Sequence, residues 1–214
     1  EYLANGSLQD VLSLERRSLA NFEWNSTRKL INIYGIASSM YYLHKHKILH
    51  RDLKPANILM DDFLCPKIAD FGFSKIQHSK LSQDSIDSSM NIKGTPLYIS
   101  PEIWTKLEYS KASDVYAFGF IVYELVTLEE PFKGNNIFEI RKKVLKGIRP
   151  NINRNVDESY RELIERCWSQ DPKDRSSFAE IVEMLRENKE FTSDLPDEED
   201  FYDYVEYIDE YKSH

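Results

Sequence analysis

The 214-residue sequence predicts a mainly α fold, about seven helices with one short β-hairpin near residues 58–69. Two observations carry that reading. In several windows apolar residues recur at three- and four-residue steps, the spacing of a single helix face, and serine followed three residues later by an acid opens more than one of them. The interruption is a pair of short apolar runs separated by a polar turn, which is the pattern of a small hairpin. With 41% hydrophobic and 30% charged residues, the composition is that of an ordinary soluble domain.

Taken in order, Ser7 and Asp10 form a capping box that opens a helix through about Arg16. A second helix is expected over about residues 26–47, with Leu30, Ile33, Ala37, Met40 and Leu43 on one apolar face. His44 and His46, near its end, read as helix-terminus or surface residues. The runs Ile58-Leu59-Met60 and Lys67-Ile68-Ala69 make the hairpin. Residues 73–91 are polar and serine-rich, a long loop with little to bury. Ser110 caps a helix running through Val115 to Leu128, apolar on most faces and therefore buried. Helices follow over about residues 135–146 and 157–168, and Ser177 with Glu180 caps a last one to about Arg186.

Charge is unevenly distributed. Residues 187–214 hold 11 acids against two lysines, a net of −9, while the preceding 186 residues hold 25 acids against 26 bases. The body is near neutral, so neither nucleic acid nor an anionic membrane is expected as a partner. The acidic tail, with Phe201, Tyr202, Tyr204, Tyr207 and Tyr211 interleaved, reads as disordered, with a docked segment as the alternative. No apolar run is long enough to span a membrane, and no leader pattern opens the chain. Cys65 and Cys167 lack metal-ligand spacing and read as reduced, packed thiols of a cytoplasmic protein.

Chemistry concentrates in the run His50-Arg51-Asp52-Leu53-Lys54-Pro55-Ala56-Asn57. Phosphoryl transfer needs a carboxylate near the attacking hydroxyl, a cation near the phosphate and oxygen ligands for Mg²⁺, and this run carries one of each. Asp70-Phe71-Gly72 follows the hairpin, and Gly94-Thr95-Pro96 leads to Ser100-Pro101-Glu102 after the serine-rich loop. In that order the motifs closely resemble the catalytic loop, magnesium motif and activation-segment end of eukaryotic protein kinases, with Ser100 where the family usually has Ala. Cys167-Trp168-Ser169-Gln170-Asp171-Pro172 and Arg175 resemble tyrosine kinases and their tyrosine-kinase-like relatives, whereas Lys54 and Gly94-Thr95 match the serine/threonine pattern.

The resemblance implies roles. Asp52 would orient and deprotonate a protein hydroxyl, Lys54 would neutralise the transferring phosphate of ATP, Thr95 would brace both, and Asn57 with Asp70 would hold Mg²⁺. Glu1 and Leu3 stand at the hinge that would meet the adenine, Ser7 would meet the ribose, and Leu59 would form an apolar floor. Phe71, with Gly72 beside it, would pack inward beneath Asp70. Asp114 would hold the catalytic-loop backbone by hydrogen bonds, and Arg175 would pair with Glu102 in a buried salt bridge. Arg51 would face the loop whose Ser79, Ser82, Ser85, Ser88 and Ser89 are candidate phosphosites.

The likeness covers residues 1 to about 186, the larger helical C-terminal lobe, followed by the tail of residues 187–214. The seven glycines never stand two residues apart, so the glycine-rich loop of an N-terminal lobe is not in this sequence, nor is its strand lysine. The expectation is a partial serine/threonine kinase domain, weak by itself without an N-lobe or other partner. The alternative is a lobe-only binding or scaffold module.

Overall fold

A computed structural model describes residues 5–76 and 94–212. Glu1 and Leu3, and the candidate phosphosites Ser79, Ser82, Ser85, Ser88 and Ser89, lie outside the described residues. The described residues form eight α-helices and two small antiparallel sheets of two strands each. This is the mainly α lobe that the sequence predicts.

The chain runs α1 (Leu8–Arg16), α2 (Ser26–Lys45), β1 (Ile48–Leu49), β2 (Ile58–Met60), β3 (Pro66–Ile68) and β4 (Lys75–Ile76). It continues with α3 (Pro101–Lys106), α4 (Lys111–Thr127), α5 (Ile137–Leu145), α6 (Glu158–Cys167), α7 (Phe178–Glu187) and α8 (Glu198–Lys212). Strand β2 pairs with β3 in the expected hairpin, in the register Ile58 to Ile68, while β1 pairs with β4.

The capping chemistry legible in the sequence is what starts the helices. Ser7 and Asp10 at α1, and Ser177 and Glu180 at α7, exchange side-chain and backbone bonds as complete capping boxes. At α4 the box is closed by Ser110 and Ser113. That helix is apolar on nearly every face because it has neighbours on nearly every face: Tyr116, Phe118, Phe120 and Tyr123 are all at least 98% buried. Phe120 lies 5.2 Å from the Trp168 ring and Phe118 lies 5.3 Å from Phe178, so α4 ties the region after α6 to α7. Gly119 allows the closest approach, since a Cβ there would stand 2.8 Å from Cys167 Cβ.

One expectation is overturned. The tail after residue 187 is not disordered: a short 3₁₀ turn (Lys189–Phe191) and α8 follow, and α8 packs on α2. The reason is periodicity within the acidic composition, because Phe201 and Val205 are one helical turn apart and both are buried. The acids at the start of α8 also favour its positive end. His44 lies in the last turn of α2, one of the two places expected for it, but it is buried there: its ring is edge-on to Phe178 at 5.1 Å, and its Nε2–H donates to Asp114 at 2.9 Å.

Candidate active site

The run from His50 to Asn57 connects β1 to β2 over the N-terminal turn of α4. Arg51 sits there at φ 70°, a left-handed conformation that costs a side-chain-bearing residue roughly 1–3 kcal/mol unless its surroundings compensate. Asp114 supplies the compensation from the first turn of α4. Its Oδ2 accepts the His50 amide at 3.0 Å and its Oδ1 accepts the Arg51 amide at 2.9 Å. His44 donates to the same carboxylate, so α2, α4 and the loop meet at one buried acid. His50 Nε2–H donates to the Ala69 carbonyl at 3.0 Å, which ties the loop to the residue preceding Asp70.

Above this support four predicted residues come together. Lys54 Nζ donates to Asp52 Oδ2 and to Thr95 Oγ1, each at 2.7 Å. Thr95 donates its amide to Asp52 Oδ1 at 2.9 Å and its hydroxyl to the same oxygen at 3.2 Å. Asn57 Nδ2 donates to the Asp52 carbonyl at 2.8 Å and to Oδ2 at 3.0 Å. The Asp52 side chain is thus 4% exposed, with both oxygens oriented by donors and a cation alongside. A carboxylate so held cannot swing, which is what directional proton acceptance requires.

The two candidate metal ligands stand at the open end of the β2–β3 hairpin. Asn57 precedes β2, Asp70 follows β3 by two residues, and the Ala69 amide donates to the Asn57 carbonyl at 2.9 Å. Asp70 is in the left-handed region at φ 59° and exposed, its Oδ1 accepting the Gly72 amide at 3.2 Å. Because the amide nitrogen of Asn57 is committed to Asp52, its Oδ1 is the atom left to accept a cation. A carboxylate and an amide oxygen are hard donors, and Mg²⁺ commonly takes one or two protein ligands beside substrate phosphates, so the residues fit the ion. Among the described residues no group of three or more His, Cys, Asp or Glu is arranged for a metal, so a fully protein-built cage is not the geometry here.

Ser7 and Leu59 form an isolated antiparallel bridge, and Gly6 accepts the Met60 amide at 2.9 Å, so the two residues assigned to a nucleotide share one surface. The Ser7 hydroxyl also caps α1, accepting the Asp10 amide at 3.3 Å while donating to the Asp10 carboxylate at 2.6 Å. Phe71 is placed differently from expectation. Its ring lies 5.5 Å from His50 on one side, but it is 47% exposed, because nothing else among the described residues covers its outer face.

Glu102 and Arg175 meet in a buried bidentate pair, Nη1 to Oε1 at 2.8 Å and Nη2 to Oε2 at 2.9 Å. Arg51 places its guanidinium 5.0 Å from the centre of the Tyr109 ring. Sequence reasoning missed Glu124. Its carboxylate accepts Arg16 Nη2 at 2.8 Å and the Tyr98 hydroxyl at 2.6 Å, and burial raises its pKa. Three segments far apart in sequence meet there, so no local pattern could have found it.

The structure thus joins a mainly helical lobe, an aspartate braced by lysine, threonine and asparagine, and an Asp-Phe-Gly turn at the end of a hairpin. The family model of the protein kinase domain matches residues 1–185, and the chain belongs to that family. A putative serine/threonine-protein kinase/receptor of Acanthamoeba polyphaga mimivirus is 34% identical over 87% of this chain and 11% of its own length. The serine/threonine-protein kinase CTR1 of Arabidopsis thaliana is 37% identical over 87% of this chain and 22% of its own. The dual specificity protein kinase pyk3 of Dictyostelium discoideum is 38% identical over 88% and 13%. The chain spans between 11% and 28% of the length of these and similar curated relatives.

Proposed function

We propose that the chain carries the catalytic and substrate-facing part of a serine/threonine protein kinase that moves the γ-phosphoryl group of Mg·ATP to a protein hydroxyl. The observation that carries this is the closed set of bonds joining Asp52, Lys54, Thr95 and Asn57. In this reading Asp52 aligns the attacking Ser or Thr hydroxyl and accepts its proton as the bond to phosphorus forms. Lys54, two residues on and already at the Asp52 carboxylate, counters charge on the phosphate oxygens as the bond to the ADP leaving group breaks. Thr95 keeps Lys54 and Asp52 in one arrangement from the far side. Asn57 and Asp70 would hold Mg²⁺, which when bound neutralises the polyphosphate. Ser7 would meet the ribose and Leu59, bridged to it, would floor the adenine, while Glu1 and Leu3 would meet the adenine edge. The free thiols of Cys65 and Cys167 suit the reducing cytoplasm, where we place the reaction.

The test is Asp52→Asn in the full-length protein, assayed with labelled Mg·ATP and a serine/threonine peptide array. The expected result is a loss of about 10²–10⁴-fold in turnover with the fold, followed by circular dichroism, retained. Wild-type turnover in the variant would overturn the assignment.

Regulation follows from Arg51, whose backbone carbonyl lies beside Gly94, where the serine-rich segment rejoins the site, and whose guanidinium rests over the Tyr109 ring. A phosphate on Ser79, Ser82, Ser85, Ser88 or Ser89 would offer it a bidentate partner and order the segment. Replacing Ser82, Ser85, Ser88 and Ser89 together with Ala should lower activity and phosphate content. If both are unchanged, phosphorylation of that segment is not the switch.

A further inference from the structure

The C-terminal helix α8 and the hairpin that carries both candidate metal ligands are held together from the side opposite those ligands. Three contacts do this. Arg28 on α2 extends one nitrogen to Asp200 at 2.9 Å and another to Cys65 Sγ at 3.8 Å, so a single guanidinium spans α8 and the residue before β3. Tyr204 on α8 and Pro66, the first residue of β3, converge over Gly35 of α2. A Cβ on Gly35 would run into the Tyr204 hydroxyl and stand 2.7 Å from Pro66 Cγ. Asn32 on α2 donates to the Leu64 carbonyl at 2.8 Å and fixes the hairpin turn to the same helix.

Strands of three residues have little stiffness of their own, and a two-stranded hairpin is only marginally stable in isolation. The separation of Asn57 from Asp70 therefore depends on what clamps the hairpin at its closed end. From the side of α8 that clamp is Tyr204 against Pro66 and Arg28 between Asp200 and Cys65. We propose that α8 is a positioning element for the catalytic centre: through Tyr204 and Asp200 it sets the hairpin, and so the distance between the two metal ligands. Tyr204 and Asp200 are thus positioning residues that act through Pro66 and Arg28, and neither touches substrate. This proposal rests on the kinase reading for its catalytic consequence but not for its structural one.

The experiment uses Tyr204→Ala, Tyr204→Phe and Asp200→Ala in the full-length protein, with two readouts. The first is hydrogen exchange at the Ala69 amide, which bonds to Asn57, and at the Asp61 amide, which bonds to Cys65 within the hairpin. The second is the Mg²⁺ concentration that gives half-maximal phosphoryl transfer at saturating ATP. Tyr204→Ala is expected to speed exchange at both amides about tenfold. It should also raise the Mg²⁺ requirement more than it lowers the maximal rate. Tyr204→Phe, which keeps the ring but removes the hydroxyl that lies over Gly35, should move both readouts in the same direction by less than Tyr204→Ala. Asp200→Ala should move both readouts the same way by less, and with a side chain 36% exposed it leaves the core intact should Tyr204→Ala unfold. Release of α8, seen as fast exchange of its own amides, with Ala69, Asp61 and the Mg²⁺ requirement unchanged would overturn the proposal. If the wild-type protein transfers no phosphoryl group under any condition, the kinase reading fails, and the exchange measurements still decide the role of α8.

Discussion

At Gly35 a single hydrogen atom decides whether two helices can touch. Glycine in the middle of a helix ordinarily costs about 1 kcal/mol relative to alanine, so Gly35→Ala on bare propensity would stabilise α2. Here the added methyl would run into the Tyr204 hydroxyl and stand 2.7 Å from Pro66 Cγ, closer than carbon atoms pack, so α8 or the hairpin would have to shift. Overpacking of this kind costs about 1–3 kcal/mol, which outweighs the propensity gain. We therefore expect Gly35→Ala to lower the urea midpoint, and a raised midpoint would show that α8 yields at little cost. The same scale explains what the sequence made visible at the site. Asp52, Lys54 and Asn57 fall within six residues of one another, so their chemistry reads as a motif. Asp70 and Thr95 belong to short motifs of their own. The burial of His44 and the role of Glu124 were not legible because their partners lie far along the chain: Asp114 is 70 positions from His44, and Arg16 is 108 from Glu124. No window of sequence contains both members of such a pair.

At the scale of elements, the helices with caps were the legible ones. Helices α1, α2, α5, α6 and α7 start and stop within one or two residues of the bounds expected from the sequence. Helix α3 was not foreseen, because six residues beginning at a proline are too few to display a period. Nor was the β1–β4 pair, two residues on each side, which only the tertiary fold brings together. Helix α8 was hidden by composition, since its acids outnumber its apolar residues while the apolar ones still fall on one face. The caps also have a pH dependence with a definite sign. Asp10 is lowered by the bonds it accepts from the Ser7 hydroxyl and then the Ser7 amide. Glu180 is lowered by the Ser177 amide and then its hydroxyl. A carboxylate whose folded pKa is depressed adds stability above its unfolded pKa and loses it as pH falls through the folded value. The starts of α1 and α7 should hold through neutral pH and fray below the ordinary carboxylate range. Amide exchange at Asp10 and Glu180, followed through an acid titration, checks this, and protection that rises on acidification would reverse the sign.

Across the whole molecule, one ion pair joins segments that α4 alone would not hold in register. Arg175, between α6 and α7, reaches Glu102 at the start of α3 with both terminal nitrogens. It also donates to the Ser169 carbonyl at 2.9 Å and to the Ala112 carbonyl at 2.9 Å. Its side chain is fully buried and that of Glu102 is 9% exposed. Every strong donor of the guanidinium with a neighbour in reach is used, and its plane lies 4.9 Å from the centre of the Tyr116 ring. Removing one partner of a buried pair leaves an uncompensated charge, so Arg175→Ala should cost about 3–5 kcal/mol. That is a large share of the roughly 5–15 kcal/mol that keeps a domain folded. Removing both charges is a different matter, because desolvating two ions offsets much of their attraction. The double variant Glu102→Leu with Arg175→Met should therefore be less destabilised than Arg175→Ala, although two backbone carbonyls lose a donor. Urea denaturation of the three proteins decides it. A double variant at least as unstable as Arg175→Ala would mean that the bonds from Arg175 to the Ser169 and Ala112 carbonyls, rather than the charge pair, hold α3 against the segment between α6 and α7.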